Sequence, residues 1–317
     1  LELKNVVPVE ALQSYEQLFS KKQKWINCEN DFASVDNFVI NNWLERLYFE
    51  RLERKSYTIE ALLKQSANNW EAVLFKLLTK NFGLKVNAES FASLANSFDF
   101  SVLRKNQSKL ISLEALFYGQ CGQLDRDDQN LYVLELQSEY QFLRKKYKLT
   151  QDGVMPVQFF RLRPPNFPTI RLAQLAKLYY ENHNLFSRVV VANSLEELYQ
   201  LFSVTTSLFW ETHYTFNKES RKLRKTTTRE FVELLIINTI IPLKFCYAKH
   251  QGDLANEDIV LMMQQLSSEN NKIVNTFNSL KRVSNSALQS QALLQLKNEY
   301  CVKNKCLNCS IGHAIVS

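Results

Sequence analysis

Glycine and proline are scarce in this sequence of 317 residues, with six of each. Average usage is roughly 7% Gly and 5% Pro, so the chain is poor in the residues that form tight turns. This scarcity argues against a many-stranded β protein and against a glycine-rich nucleotide-binding loop. The motifs GxxxxGK[ST], GxGxxG, HExxH and GxSxG do not occur. The four histidines are scattered, so no catalytic constellation is visible.

Cysteine and long apolar runs are also limited. Six cysteines do not make a disulfide scaffold and no signal peptide is visible, so we expect a cytoplasmic protein. The most apolar stretch, LLIINTIIPLKFCYA, is interrupted by Asn238, Pro242 and Lys244. It is short for a membrane span, which predicts a core helix and no membrane partner. The net charge of +7 favours an acidic partner, and it fits equally well a basic soluble protein without one.

Helical periodicity dominates the rest of the chain. In DNFVINNWLERLYFERLER, residues 36–54, apolar side chains recur every three or four positions and charged ones take the opposite face. Similar patterns recur to the C-terminus, and only SRVVVAN resembles a strand. Four of the six prolines cluster between residues 156 and 168. The sequence therefore predicts an all-α fold with little or no β-sheet, in two helical lobes, 1–150 and 151–317.

The proline cluster contains the first candidate binding site, RLRPPNFPTIR. Guanidinium groups on a stiff loop beside a helix N-terminus suit an anion or phosphate. The candidate ligands are Arg161, Arg163, Asn166 and Arg171. The alternative is a structural brace, because an extended proline-rich segment has backbone carbonyls that need hydrogen-bond donors.

A basic run follows an aromatic cluster in FWETHYTFNKESRKLRKTTTR and forms the second candidate. Its cationic residues are Lys218, Arg221, Lys222, Arg224, Lys225 and Arg229. Basic side chains neutralise phosphates and aromatic ones stack on bases, so the run is a candidate DNA or RNA surface. The alternative is a solvated loop. Glu211 and His213 could form an acid–base pair, but nothing completes a catalytic site around them.

A cluster of cysteines near the C-terminus, in YCVKNKCLNCSIGH, forms the third candidate. Cys301, Cys306 and Cys309 have metal-ligand spacing, and the closer pair forms a CxxC hook. The fourth ligand is either His313, which completes a zinc site, or Cys28, which suits zinc or an iron–sulfur cluster. The alternative is a set of thiols that binds no metal.

Several stretches resemble a family of uncharacterised bacterial proteins known only as a domain of unknown function. The stretches are NFGLKVNAESFASLA, LEALFYGQCG, EYQFLRKKYKL, RLRPPNFPTIRLAQLA, FWETHYTF, INTIIPLKF and SQALLQLKNEYCVKNKCLNCSIG. The resemblance covers nearly the whole chain and brings no established activity.

The resemblance implies two further properties. Family members look longer at the N-terminus, where an acidic, β-rich segment is similar to nuclease-like folds. The chain, which begins at Leu1, would then be the helical C-terminal part, and any catalytic carboxylates would lie upstream. The C-terminal cysteines and Cys28 look like family features whereas His313 does not, which favours Cys28 as the fourth ligand.

Together these observations predict a nucleic-acid-binding helical module with a structural metal site, belonging to a larger nuclease-like protein. This chain alone is not expected to be an enzyme. The alternative from another functional class is a helical scaffold that binds another protein and carries no metal.

Overall fold

A computed structural model describes residues 24–253 and 257–316, together with Val9 and Gln13. Helices dominate this part of the chain and its only sheet is a two-stranded hairpin, which confirms the predicted all-α class. The helices are α1 (Asn37–Gln65), α2 (Trp70–Phe82), α3 (Leu84–Asn96), α4 (Phe100–Asn106), α5 (Leu110–Gln120), α6 (Leu131–Tyr147), α7 (Pro168–Glu181), α8 (Leu185–Val191), α9 (Leu195–Phe202), α10 (Phe209–Thr212), α11 (Arg229–Leu235), α12 (Ile241–His250), α13 (Glu257–Gln265), α14 (Lys272–Leu280), α15 (Ala287–Gln295) and α16 (Ser310–Val316). The antiparallel strands are β1 (His213–Thr215) and β2 (Lys218–Glu219).

The chain divides into two compact units. The first unit comprises residues 1–58 and 248–317, and the second comprises residues 59–247. Neither boundary falls at residue 150, the position at which the sequence was divided into lobes. The proline cluster that suggested that division lies inside the second unit.

Helix α5 forms the centre of the second unit, because residues 112–120 are all buried. A helix that is apolar on every side belongs in a core. The Phe117 ring centroid lies 6.0 Å from that of Phe75 and 6.5 Å from that of Phe98. Gly119 leaves no room for a side chain, since a Cβ there would lie 2.2 Å from the Tyr140 ring. The glycine therefore allows α5 and α6 to pack closely.

The extended segment before the proline-rich turn is attached to α3 by side-chain hydrogen bonds. The Asn87 side-chain amide donates to the Gln158 carbonyl at 2.9 Å, and the Gln158 N–H donates back to Asn87 Oδ1 at 2.6 Å. Ser90 Oγ donates to the Pro156 carbonyl at 2.8 Å. These bonds satisfy backbone groups that have no ladder partner and fix the approach to the turn at residues 164–166.

The strand expectation for SRVVVAN is wrong, because these residues contribute to helix α8. Leu185 and Val189 are buried on one helical face. Lys244 Nζ donates to the carbonyls of Val189, Val190 and Ala192 at 3.3, 2.6 and 2.7 Å. A cation at a helix C-terminus stabilises the final carbonyls, so a contact distant in sequence overrides the strand preference of the valines.

Replacing Lys244 with methionine is expected to destabilise the protein by about 2–4 kcal/mol, because buried carbonyls lose a charged donor. Urea unfolding measures this difference. A matched control is Lys145→Met at an exposed position of α6, for which we expect a change of about 0.5 kcal/mol or less. Equal effects of the two substitutions would contradict a capping role for Lys244.

The stretch LLIINTIIPLKFCYA lies in a continuous helical segment, Arg229–His250. By length and composition this segment could cross a membrane, but 72% of its most apolar window is buried within the protein. This burial agrees with the predicted core helix. A π-helical turn at Ile236–Ile240 precedes Pro242, which has no N–H to donate to a regular helical hydrogen bond.

In the first unit, a ladder of polar contacts joins α1 to α15 and the π-helical turn that follows it, Leu296–Cys301. Arg51 Nε donates to Gln291 Oε1 at 2.6 Å, and Gln295 Nε2 donates to Glu50 Oε1 at 3.0 Å. The Tyr300 hydroxyl donates to the other oxygen of Glu50 at 2.7 Å. This ladder fixes Tyr300 and therefore the backbone that carries Cys301.

Candidate functional site

The proline-rich turn and the basic run meet in the second unit, where they line one cleft of about 400 Å³, here called the basic cleft. Five of the ten predicted phosphate-contacting residues line it: Arg163, Asn166, Arg171, Arg224 and Lys225. No Asp or Glu of the described chain is among its lining residues. Two stretches that are distant in sequence therefore form a single surface of one charge sign.

Arg171 lines the basic cleft from a buried position in α7 and is only 5% exposed. Its Nη2 donates to Asn166 Oδ1 at 2.6 Å and its Nη1 donates to Gln174 Oε1 at 2.9 Å. Its guanidinium lies 3.5 Å from the ring centroid of Phe231, a cation–π contact. Burial lowers the pKa of Arg171 to about 10.

Arg171 has no anionic partner within the part of the chain that the structure describes. Its Nε has no hydrogen-bond partner there, although this nitrogen is buried. Burying a cation without a counter-charge is costly. The same arrangement is favourable when an anion occupies the cleft, because the anion supplies the missing counter-charge.

Lys225 also lies in the cleft wall, but the fold uses its donors. Its Nζ donates to the Trp210 carbonyl and, at 3.0 Å, to the Glu211 carbonyl. The same Nζ lies 4.2 Å from the ring centroid of Tyr214. Burial lowers the pKa of Lys225. Lys225 therefore attaches the basic run to the hairpin and contributes its charge to the cleft.

The other predicted cations are exposed, and most of them lie outside the cleft lining. Arg163 and Arg224 are exposed cleft residues whose side chains can reach a ligand. Outside the lining, Lys222 pairs with Glu211 at 3.6 Å. Four further cations are exposed and also lie outside the lining: Arg161, Lys218, Arg221 and Arg229.

Four cysteines line one small cavity in the first unit, here called the thiol cavity. They are Cys28, Cys301, Cys306 and Cys309. The volume is about 20 Å³, which is room for about one water-sized sphere. Apolar residues, including Phe32 and Phe277, complete the walls. All four thiols are free, so the cavity has no disulfide.

The sulfur atoms are close enough to affect one another's ionisation. Burial, and after it the neighbouring Cys309 and Cys306 sulfurs, raise the pKa of Cys28 to about 12. Burial and then Cys28 and Cys309 raise the pKa of Cys301. Burial also raises the pKa of Cys309. With their pKa values raised, Cys28, Cys301 and Cys309 are neutral thiols at neutral pH. A bound metal would change this, because coordination deprotonates thiols.

Several N–H groups point at these sulfur atoms. Asn27 Nδ2 donates to Cys306 Sγ at 3.5 Å. The backbone N–H groups of Ile311 and Gly312 lower the pKa of Cys309 and so oppose the effect of burial. Such N–H contacts stabilise thiolates and are typical of the surroundings of metal-ligating cysteines.

Gly312 makes the loop that carries Cys306 and Cys309 compact. A Cβ at position 312 would lie 2.2 Å from the Cys306 carbonyl oxygen. The Cys309 N–H donates to that same carbonyl at 3.1 Å. The first turn of α16 can therefore approach the CxxC hook only because residue 312 is a glycine.

The donor set of the thiol cavity fits a metal, since four sulfur ligands suit either zinc or an iron–sulfur cluster. Within the described residues, however, no group of three or more Cys, His, Asp or Glu side chains is gathered at metal-ligating geometry. The four cysteines line one cavity, but no three of their side chains are gathered at metal-ligating geometry. His313 is exposed on α16 and is not among the lining residues.

The pair Glu211 and His213 forms no acid–base constellation. His213 is buried, and its ring stacks on Phe209 with centroids 4.0 Å apart. Its Nδ1 lies 3.1 Å from the Phe209 carbonyl oxygen, which requires an N–H at that position. Glu211 instead pairs with Lys222.

Sequence reasoning did not identify Gln174 as part of a site, and it named Tyr214 only as an aromatic neighbour. Gln174 is buried and bridges the two stretches, because it accepts from Arg171 and donates to the Lys225 carbonyl at 3.2 Å. A neutral glutamine inside an apolar helix was the available signal, since buried polar side chains need partners.

Comparison with known proteins identifies a family match. The profile of a family described as Protein of unknown function (DUF2851) matches residues 1–272. No curated protein and no solved structure matches the chain. The matched region contains the basic cleft and Cys28 and ends before Cys301.

Proposed function

The chain belongs to the DUF2851 family of proteins of unknown function, and we propose that it binds DNA or RNA through the basic cleft. In this proposal the thiol cavity holds a structural metal, either zinc or an iron–sulfur cluster, and the cysteines stabilise the fold without taking part in chemistry. The larger nuclease-like protein implied by the sequence resemblance remains part of the proposal, with its catalytic groups upstream of this chain.

The observation that carries the nucleic-acid proposal is the convergence of four cations around one cleft that has no acidic lining residue. They are Arg163, Arg171, Arg224 and Lys225. Cations that face a common cleft repel one another, and this repulsion is relieved when phosphates replace their counterions. Tyr214 lines the same cleft and offers an aromatic surface to a base.

The double substitution Arg163→Gln and Arg224→Gln is expected to weaken binding to generic single-stranded DNA or RNA by about tenfold. Both residues are exposed, so the fold should persist. Fluorescence anisotropy between about 50 and about 200 mM salt measures the affinity and its salt dependence. Removing two phosphate contacts should reduce the slope of log K against log salt by about 1.4.

The matched control for this experiment is Lys145→Gln on α6, an exposed cation outside the cleft lining. It should leave both affinity and slope nearly unchanged. Absence of binding by the unmodified protein even at low salt would rule out the proposed function.

An alternative function, a scaffold that binds another protein, is favoured by an apolar strip on α6. Leu131, Leu134 and Phe142 lie three, then eight residues apart, which places them on one helical face, and all three are exposed. Such a strip is typical of a partner-binding surface. The same titration separates the two proposals, because the scaffold predicts no salt-dependent affinity for nucleic acid.

A further inference from the structure

The basic cleft differs from a surface that follows a nucleic-acid backbone, because its central cation is buried. Arg171 is 5% exposed, yet it lines the cleft, and its buried Nε has no hydrogen-bond partner among the described residues. A phosphate inside a continuous strand is flanked by sugars and bases on both sides. Such a phosphate reaches exposed side chains easily and a buried one only with difficulty. A chain end can enter a recess that the middle of a strand cannot.

The size of the cleft agrees with a single nucleotide. Its volume of about 400 Å³ falls in the range of roughly 300–1,000 Å³ that is typical of pockets for small molecules. Exposed Arg163 and Arg224 supply charge at accessible positions, and the buried Arg171 supplies it further inside. The half-buried Tyr214 gives the same cleft an aromatic wall.

Internal and terminal phosphates also differ in charge, and this difference favours the terminal phosphate as the ligand. An internal phosphodiester carries one negative charge. A terminal phosphomonoester carries about −1.5 to −2 at neutral pH and has three acceptor oxygens. Arginine is suited to such groups because its planar fork donates two parallel hydrogen bonds. A cleft with several cations and no Asp or Glu among its described lining residues gains most from the more highly charged group.

We infer that the basic cleft recognises the terminal phosphate of a single strand, with Arg171 as the buried phosphate ligand and Arg163 and Arg224 as accessible ones. This inference rests on the proposed nucleic-acid function and specifies its ligand. Arg171 is held in place by Asn166 and Gln174, each of which accepts a hydrogen bond from one Nη. Each Nη carries a second N–H, which can donate to an incoming oxygen.

The test compares oligonucleotides of one sequence that differ only at their ends: 5′-phosphate, 3′-phosphate and hydroxyl at both ends. Anisotropy titrations of the whole chain at about 100 mM salt should give about tenfold tighter binding to one phosphorylated end than to the hydroxyl form. The arm that binds more tightly identifies which end is recognised. Equal affinities for all three would overturn the inference and leave the proposed function standing.

Substitutions test whether the preference for a phosphorylated end depends on residues of the basic cleft. Arg171→Gln should reduce the ratio of the affinities for phosphorylated and hydroxyl ends to about twofold or less. Arg163→Gln provides a second test at an exposed position, where folding is unaffected. The control is Arg221→Gln, an exposed cation of the same basic run that does not line the cleft. It should leave the ratio unchanged.

Two outcomes contradict the inference at this stage. In the first, the Arg163→Gln variant and a folded Arg171→Gln variant both keep the full preference for a phosphorylated end. The terminal phosphate is then recognised outside the basic cleft. If none of the three oligonucleotides binds to the unmodified protein, the inference and the proposed function both fail.

Discussion

Replacing Cys28 with serine is expected to remove a bound metal from the protein and to lower its stability by on the order of 4 kcal/mol, the contribution of a ligand present at about 1,000 times its Kd. Cys28 lies far in sequence from the other three thiols but lines the same cavity. A metal held by all four would join the turn at residue 28 to the C-terminal loop. Loss of one of four ligands opens a structural site, so the metal and this constraint should disappear together.

Elemental analysis of anaerobically purified protein, beside thermal unfolding, measures both effects. Stoichiometric zinc or iron should be present in the unmodified protein and absent from Cys28→Ser and Cys306→Ser.

Two control substitutions distinguish the metal ligands from His and Cys side chains that do not bind the metal. His313→Ala should retain the metal, because this side chain is exposed and does not line the cavity. Cys121→Ser removes a buried thiol elsewhere and should retain it too. Purified protein with neither metal would refute the metal site, and loss of metal in His313→Ala would restore the alternative ligand set.

Glu114 is expected to make the stability of the protein fall as the pH rises from about 4.5 to about 7. This carboxyl is 1% exposed within the core helix α5, and burial raises its pKa to about 7. It accepts hydrogen bonds from the Tyr132 hydroxyl at 3.0 Å and from Ser207 Oγ at 2.8 Å. These donors, and the more distant Lys177, lower its pKa but do not cancel the effect of burial.

The sign of the pH dependence follows from proton binding. In the window between the two pKa values, the folded protein holds a proton on Glu114 that the unfolded chain has released. Raising the pH therefore favours the unfolded chain, by at most about 1.4 kcal/mol for each pH unit. The stabilisation from protonated Glu114 is complete below about pH 4.5 and lost above about pH 7.

Denaturant unfolding of Glu114→Gln at pH 5 and pH 8 tests this expectation. The difference in unfolding free energy between the two pH values should shift by about 2–3 kcal/mol relative to the unmodified protein. Glu89→Gln, at an exposed carboxylate paired with Lys80 at 2.9 Å, should leave the difference nearly unchanged. An identical pH profile for Glu114→Gln and the unmodified protein would show that the buried group does not titrate in this range.

The helical class was predictable because it depends on local signals. The periodicity of residues 36–54 corresponds to the first part of α1, which begins at Asn37. Ser194 caps α9, with its Oγ accepting from the Glu197 N–H at 3.3 Å. The prediction for SRVVVAN was wrong because the stabilising contact comes from Lys244, a distant residue. The two compact units were not evident either, because one of them combines both ends of the chain.

The candidate sites show the same division. Sequence could identify cations and thiols by their chemistry, and it identified all four cysteines that line the thiol cavity. It could not show that the buried Arg171 would line the same cleft as Arg224, while Arg161 and Arg221 would lie outside the cleft lining. It also overlooked Gln174, whose bridging role depends on Lys225, a residue distant in sequence.

The sequence by itself determined the helical class, the side chains whose chemistry suits phosphate or metal, and the membership of an uncharacterised family. These follow from local periodicity, side-chain chemistry and motif content. Tertiary structure alone decided which cations share a cleft, which of them has no counter-charge among the described residues, and that Cys28 lines the cavity of the C-terminal thiols. Burial and proximity are properties of the packed chain. They set the strength of each interaction and the pKa of each ionisable group, on which binding depends.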